Sequence, residues 1–282
     1  MHCFEEGYKR RFPNIERVEV PYENAQTLPA FFMRAPGAGK KPTVVCFDGL
    51  DSSKEMSILY IGVELANRGY HTLAIDGPGQ GEALRLRSIP SRYDYEVPGA
   101  AAYDYVASRA DVDAKRVGVM AFSLGGYYTP RMAAFEKRYA AAVAWGAHWD
   151  YHAVWVKRRK HMEEGGKNTS SSMFQLPWVM GTPDMDSAME KIKQVKLEGV
   201  RHFFVNRFIH GVKRGFDTLY RSRRKATQRD RGIQFKTLPH EAHIGRAHQF
   251  WRFHARIRQH ATGFGLHIRV ERIQARPVDI FK

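Results

Sequence analysis

A serine flanked by small residues at the end of an apolar run is the feature of this sequence that points most directly to chemistry. Val117-Gly118-Val119-Met120-Ala121-Phe122-Ser123-Leu124-Gly125-Gly126 reads as a strand that enters small-x-Ser-x-Gly and then a helix. So sharp a turn strains the serine backbone, and only small residues two positions before and after it are tolerated, a demand that Ala121 and Gly125 meet. The first of these positions is more commonly Gly. Such a turn lifts the Ser123 hydroxyl clear of the sheet and leaves the Leu124 N–H at a helix N-terminus, facing a developing oxyanion. The plainer alternative is a serine that caps a helix. The motif's place after the third of a series of buried strands favours the nucleophile.

A second oxyanion donor is expected from Phe47-Asp48-Gly49-Leu50-Asp51-Ser52-Ser53-Lys54-Glu55, which closes the first buried strand. Gly49 lets the backbone approach closely, and the donor falls at Leu50; Asp51 or Ser52 can cap the following helix as well. Asp76-Gly77-Pro78-Gly79-Gln80-Gly81-Glu82 is glycine-rich but lacks the Lys-Ser/Thr ending of a P-loop and the GxGxxG order. It reads as a tight turn beside the site. Trp145-Gly146-Ala147-His148-Trp149-Asp150-Tyr151 ends the strand after the nucleophile helix and should face the pocket. His148 and Asp150 are the weaker triad candidates, because a nucleophile-first order puts the acid and the histidine after later strands.

The elements that position these residues emerge from hydrophobic period. Positions 15–20 and 28–33 read as paired strands, with Pro29 confining the second to an edge. Continuous apolar runs at 43–47, 71–75, 116–120 and 140–145 read as strands covered on both faces, and helices at 53–68, 98–109 and 124–135 alternate with them. Gly69 closes the first of those helices. Alternation of this kind predicts βαβ units and a parallel sheet, so the fold class is α/β. Residues 150–184 turn irregular and read as an inserted lid, after which 185–195 is helical. Beyond Val200, neither period persists and arginines interrupt every apolar run. The reading is thus a core over 1–200 with a lid at about 150–184, then a segment of uncertain fold over 201–282.

Composition is that expected of a soluble globular protein. Of 282 residues 43% are hydrophobic and 26% charged, and no apolar stretch is long enough to cross a bilayer. The acidic start, Met1-His2-Cys3-Phe4-Glu5-Glu6, is unlike a signal peptide, which predicts a cytoplasmic protein. Cys3 and Cys46 are the only cysteines and do not form a disulfide framework. The net charge of +16 is uneven: residues 201–282 hold 19 Lys+Arg against 5 Asp+Glu, a net of +14, and 8 of the 13 histidines.

Four motifs in register, Gly49-Leu50-Asp51-Ser52-Ser53-Lys54-Glu55, Asp76-Gly77-Pro78-Gly79-Gln80-Gly81-Glu82, Phe122-Ser123-Leu124-Gly125-Gly126 and Trp145-Gly146, resemble the 2,6-dihydroxypseudooxynicotine hydrolase family over roughly residues 1–200. That family's relatives include fungal polyketide-shortening hydrolases. The resemblance implies an α/β-hydrolase fold and a serine hydrolase that cleaves a carbon–carbon bond next to a ketone, or an ester or related acyl bond. It places the nucleophile at Ser123 and the oxyanion loop at Gly49-Leu50, and implies no metal and no organic cofactor. A small carbonyl or ester substrate is then the expected partner, with no membrane, nucleic acid improbable and a homodimer left open. The aromatics Trp149, Tyr151 and Trp155 are candidates to seat a substrate ring, with packing as the alternative.

The resemblance falters after the lid. Family members continue with a His-Gly-x-x-Asp loop that bears the acid and a last loop that bears the histidine. Here His210-Gly211-Val212-Lys213-Arg214 has no carboxylate until Asp217, and His240-Glu241-Ala242-His243 lies where the histidine is sought. Asp217 and His243 are therefore the acid and base candidates. The joint loss of period, acid loop and charge balance suggests a reading frame shifted near Gly199-Val200. Two alternatives stand beside the hydrolase: an inactive derivative of one, or a protein whose basic tail, with Arg221-Ser222-Arg223-Arg224-Lys225 and the later Phe250, Trp251 and Phe253, grips nucleic-acid phosphates.

Overall fold

Seven strands are laid down in the order β1-β2-β4-β3-β5-β6-β7: β1 (Ile15–Pro21), β2 (Thr27–Met33), β3 (Lys41–Phe47), β4 (His71–Ile75), β5 (Val112–Phe122), β6 (Ala141–Trp145) and β7 (Ile209–Val212). The structure is a computed structural model that describes residues 2–165, 172–198, 209–212, 251–262 and 265–277. The chain divides into two compact units, Met1–Phe235 and Lys236–Lys282.

β1 and β2 are antiparallel, β2 joins β4 antiparallel, and β4-β3-β5-β6-β7 are all parallel. Every residue of β4, and Thr43 to Phe47 of β3, is buried, as continuous apolar runs sandwiched between helix layers must be. β2 is an interior strand, which corrects the edge placement expected from Pro29. Its ladder with β4 begins only at Ala30, and the Pro29 C=O on that side accepts the Asp76 N–H at 3.0 Å. The missing N–H therefore falls beyond the β2–β4 ladder and forfeits no bond there.

Helix α1 (His2–Arg11) lays Phe4 and Tyr8 against Phe31, with ring centroids 5.5 and 5.1 Å apart. The helix expected after β3 is continuous but uneven: α2 (Lys54–Ser57), a π-turn (Ile58–Gly62) and α3 (Val63–Asn67), closed by Gly69 at φ +86°. A short α4 (Gly81–Arg85), α5 (Glu96–Ala107) and α6 (Gly125–Phe135) complete the layers around the nucleophile strand.

The segment after β6 is helical where the sequence predicts irregular structure. Helix α7 (Tyr151–Glu163) starts at Asp150, whose carboxylate accepts the Ala153 N–H at 2.9 Å. Helix α8 (Ser172–Met180) contains Pro177, and α9 (Met185–Lys191) is capped by Asp184. Leu176, Val179, Met180, Ala188 and Ile192 belong to the same hydrophobic core as the sheet, so these helices pack on it. Among the described residues no helix is long and apolar enough to cross a membrane.

The unit over 236–282 holds a second sheet, the antiparallel pair β8 (Trp251–Thr262) and β9 (Gly265–Pro277). This corrects the expectation that no period survives the arginines. Phe253, Ala255, Ile257 and Ala261 stand opposite Ala275, Ile273, Val270 and Leu266, an alternation of period two that a β-bulge at Arg256/Ile257 interrupts.

Candidate active site

β5 delivers Ser123 to the carboxyl end of the parallel strands. Ser123 has φ +60°, the left-handed region that strains any residue with a side chain. The strain is held by neighbours: the Ser123 N–H donates to the Trp145 C=O and its own C=O accepts from Gly126, both at 2.8 Å. The need for small residues here is literal. A Cβ on Gly125 would lie 2.5 Å from Ala121 Cβ and 2.7 Å from the Asp48 C=O, and one on Gly126 would lie 2.7 Å from the Gly146 C=O. The Leu124 side chain is buried whereas Ser123 is exposed, so the turn presents the serine and hides the leucine beside it.

The loop after β3 comes against that turn. A Cβ at Gly49 would stand 3.0 Å from both the Phe122 C=O and Ser123 Cβ, so a side chain here would force the nucleophile turn to give way by a few tenths of an ångström. The N–H groups of Leu50 and Leu124 have no hydrogen-bond partner among the described residues. Two unspent donors flanking an exposed serine are what an oxyanion requires.

A buried polar network, not foreseen from the sequence, holds this loop. Lys54 is wholly buried, and its Nζ meets Glu55 at 2.8 Å and Asp76 and Glu82 at 3.0 Å each. Asp76 also accepts the N–H groups of Lys54 at 2.7 Å and Glu82 at 2.8 Å, so the loops after β3 and β4 share one ionic clasp. Burial opposes the Lys54 charge, yet Asp76, Glu55 and Glu82 hold its pKa above the usual lysine value. Burial pushes the Asp48 carboxyl up to about 8; one oxygen accepts the Ser57 hydroxyl at 2.6 Å and the other has no partner among the described residues. Gln80, also buried, spans from its own loop to the Asp48 and Gly49 carbonyls. The sequence signal for the clasp was a lone Lys54 in one motif facing Asp76 and Glu82 in another.

The remaining predicted residues are dispersed. Asp217 and His243, with His240, lie outside the described residues. His148 is neutral at ordinary pH, because burial first and Arg158 second push it down to about 4, and its ring lies 5.5 Å from that of Tyr151. Tyr151 and Trp155 are 2% and 0% exposed, packed edge-to-face within the core, while Trp149 sits partly buried at its border. Burial favours the packing alternative for the first two. A cleft of about 470 Å³, lined by Tyr22, Pro78, Arg92, Met180 and Lys191 among others, includes neither Ser123 nor Gly49. Among the described residues no cluster of three His, Cys, Asp or Glu could hold a metal ion.

Comparison with known proteins adds to this geometry. The Alpha/beta hydrolase family model matches residues 44–275. The 2,6-dihydropseudooxynicotine hydrolase of Paenarthrobacter nicotinovorans is 34% identical over 150 residues, covering 51% of this chain and 40% of that protein. An alpha/beta hydrolase of an Acremonium species is 32% identical over 219 residues, covering 70% and 42%. The chain thus spans about two fifths of the length of these curated relatives. A solved 2,6-dihydroxy-pseudo-oxynicotine hydrolase superposes with a TM-score of 0.67 at 22% identity, covering 83% of this chain and 64% of that one, a likeness of fold.

Proposed function

The chain belongs to the alpha/beta hydrolase family, and from that premise we propose that it is a serine hydrolase in which Ser123 attacks the carbonyl carbon of a small organic substrate. The bond cleaved is a carbon–carbon bond next to a ketone, or an ester or related acyl bond. The observation that carries this reading is the exposed Ser123, at φ +60°, set against Gly49 between two N–H groups that have no partner among the described residues.

In this reading a histidine takes the Ser123 proton as the hydroxyl adds to the carbonyl, and the Leu50 and Leu124 N–H groups hold the oxyanion. His243 is the proposed base and Asp217 its orienting acid. Collapse of the oxyanion expels an alcohol or, where an adjacent ketone stabilises it, a carbanion that takes a proton. Water then releases the acid from Ser123. No metal or organic cofactor enters these steps, and Trp149, which is only partly buried, is the aromatic proposed to border the substrate. Relatives named as hydrolases of 2,6-dihydropseudooxynicotine and of 20-hydroxy-prefusarin support a small-molecule substrate.

Intact mass after treatment with a fluorophosphonate tests this. One adduct, absent in Ser123→Ala, is the expected result, because only an activated serine is labelled. Folded protein that takes no label would overturn the reading and leave an inactive derivative of the family.

A further inference from the structure

We propose that Gln80 is the positioning residue that aims the Leu50 N–H at the oxyanion, a role that rests on the serine-hydrolase reading. Gln80 is 1% exposed, and among the described residues every hydrogen bond of its side-chain amide is to backbone. Its Oε1 accepts the Gly77 N–H at 3.0 Å; its Nε2 donates to the Asp48 C=O and, at 3.4 Å, to the Gly49 C=O. The partners fix which way the amide faces, since a carbonyl only accepts and an N–H only donates.

The geometry carries a directional consequence. No peptide bond among the described residues is cis, and in a trans peptide the C=O and the following N–H point in opposite directions. A Gly49 C=O drawn toward Gln80 therefore turns the Leu50 N–H away from Gln80, where it has no partner among the described residues. Gly49 has no side chain to resist rotation of that peptide, so the restraint must come from outside it. Gln80 is itself anchored: a Cβ on neighbouring Gly77 would lie 2.3 Å from the Tyr95 hydroxyl and 3.0 Å from the Phe47 ring, so the loop is packed tightly on its far side. With Gln80 removed, two buried carbonyls lose their donor and the Gly49–Leu50 peptide is free to turn, presenting an oxygen where the N–H belongs.

The test uses the full chain with Gln80→Met, close in volume but unable to donate, and Gln80→Ala, which leaves space for water and serves if the methionine variant does not fold. The rate of Ser123 labelling by a fluorophosphonate is measured together with kcat and KM on an activated aryl ester, and thermal melting checks folding. The expected result is a fall of about 10²-fold in labelling rate and kcat, the scale of one lost oxyanion donor, with KM changed by less than about twofold. A folded variant with unchanged labelling and kcat, or one in which only KM rises, overturns the role of Gln80. Absence of Ser123-dependent labelling in the unaltered chain overturns the serine reading itself, and is told apart by that control.

Discussion

Ser123 carries both the proposed chemistry and a backbone penalty. A left-handed conformation costs a residue with a side chain about 1–3 kcal/mol, which exceeds the roughly 0.5–1 kcal/mol of extra chain entropy that glycine loses on folding. Ser123→Gly should therefore unfold at about 1 kcal/mol higher stability than Ser123→Ala, which keeps the strain, while neither takes the label; urea titration of the pair checks it. Asp48 gives a pH dependence of determined sign. Its folded carboxyl keeps a proton up to about 8 against an ordinary value of 3.8, so the unfolded chain releases its proton first and stability falls as pH rises between those values. Asp48→Asn, which still accepts from Ser57, should flatten that slope in denaturation measured at about pH 5 and about pH 8. At this scale Ser123, Gly49 and Leu124 were legible because the steric demands of a sharp turn restrict residue type. Gln80 and Asp48 were not, because what matters about them is a partner distant in sequence: for Gln80 the backbone carbonyls 31 and 32 positions away, for Asp48 the Ser57 hydroxyl 9 positions away.

Between elements, the clasp from Lys54 to Asp76 and Glu82 fastens the loop after β3 to the loop after β4. Lys54→Met would leave the buried Asp76 carboxylate without its cation, whereas Glu82 keeps Arg17 and Arg87, and a loss of about 3–5 kcal/mol in urea unfolding is expected. Adding Asp76→Asn should recover part of that loss, since the stranded charge is then removed. The parallel strands were legible because a strand covered on both faces must be apolar throughout. β2 was misplaced at an edge because the proline rule assumes that the ladder spans the whole strand, whereas it starts at Ala30. Helices α7 and α8 escaped notice because basic residues and Pro177 blur their apolar stripes. The alternation of β8 and β9 was hidden by the arginines and histidines that crowd the alternate places and by one bulge.

Across the whole molecule, charge and fold diverge: nearly all of the net +16 falls after residue 200, while the family match runs on to residue 275. A frame shifted near Gly199-Val200 would explain the first and must be reconciled with the second. Translating the gene one nucleotide out of phase there decides between the two: a restored strand and Gly-x-x-Asp loop would move the acid and base to that other frame, and failure to restore them would make the basic segment native and keep Asp217 and His243 as the proposed pair. The strand order also sets a schedule for synthesis. By the time β4 has emerged, β1, β2, β4 and β3 can already stand side by side, with only the outer edge of β3 awaiting a neighbour that ends at Phe122. For the whole of that interval the nascent chain holds an open apolar edge beside the future oxyanion loop. Ribosome-bound chains stalled ahead of β5 should accordingly recruit chaperones, and those stalled well past β6 should release them.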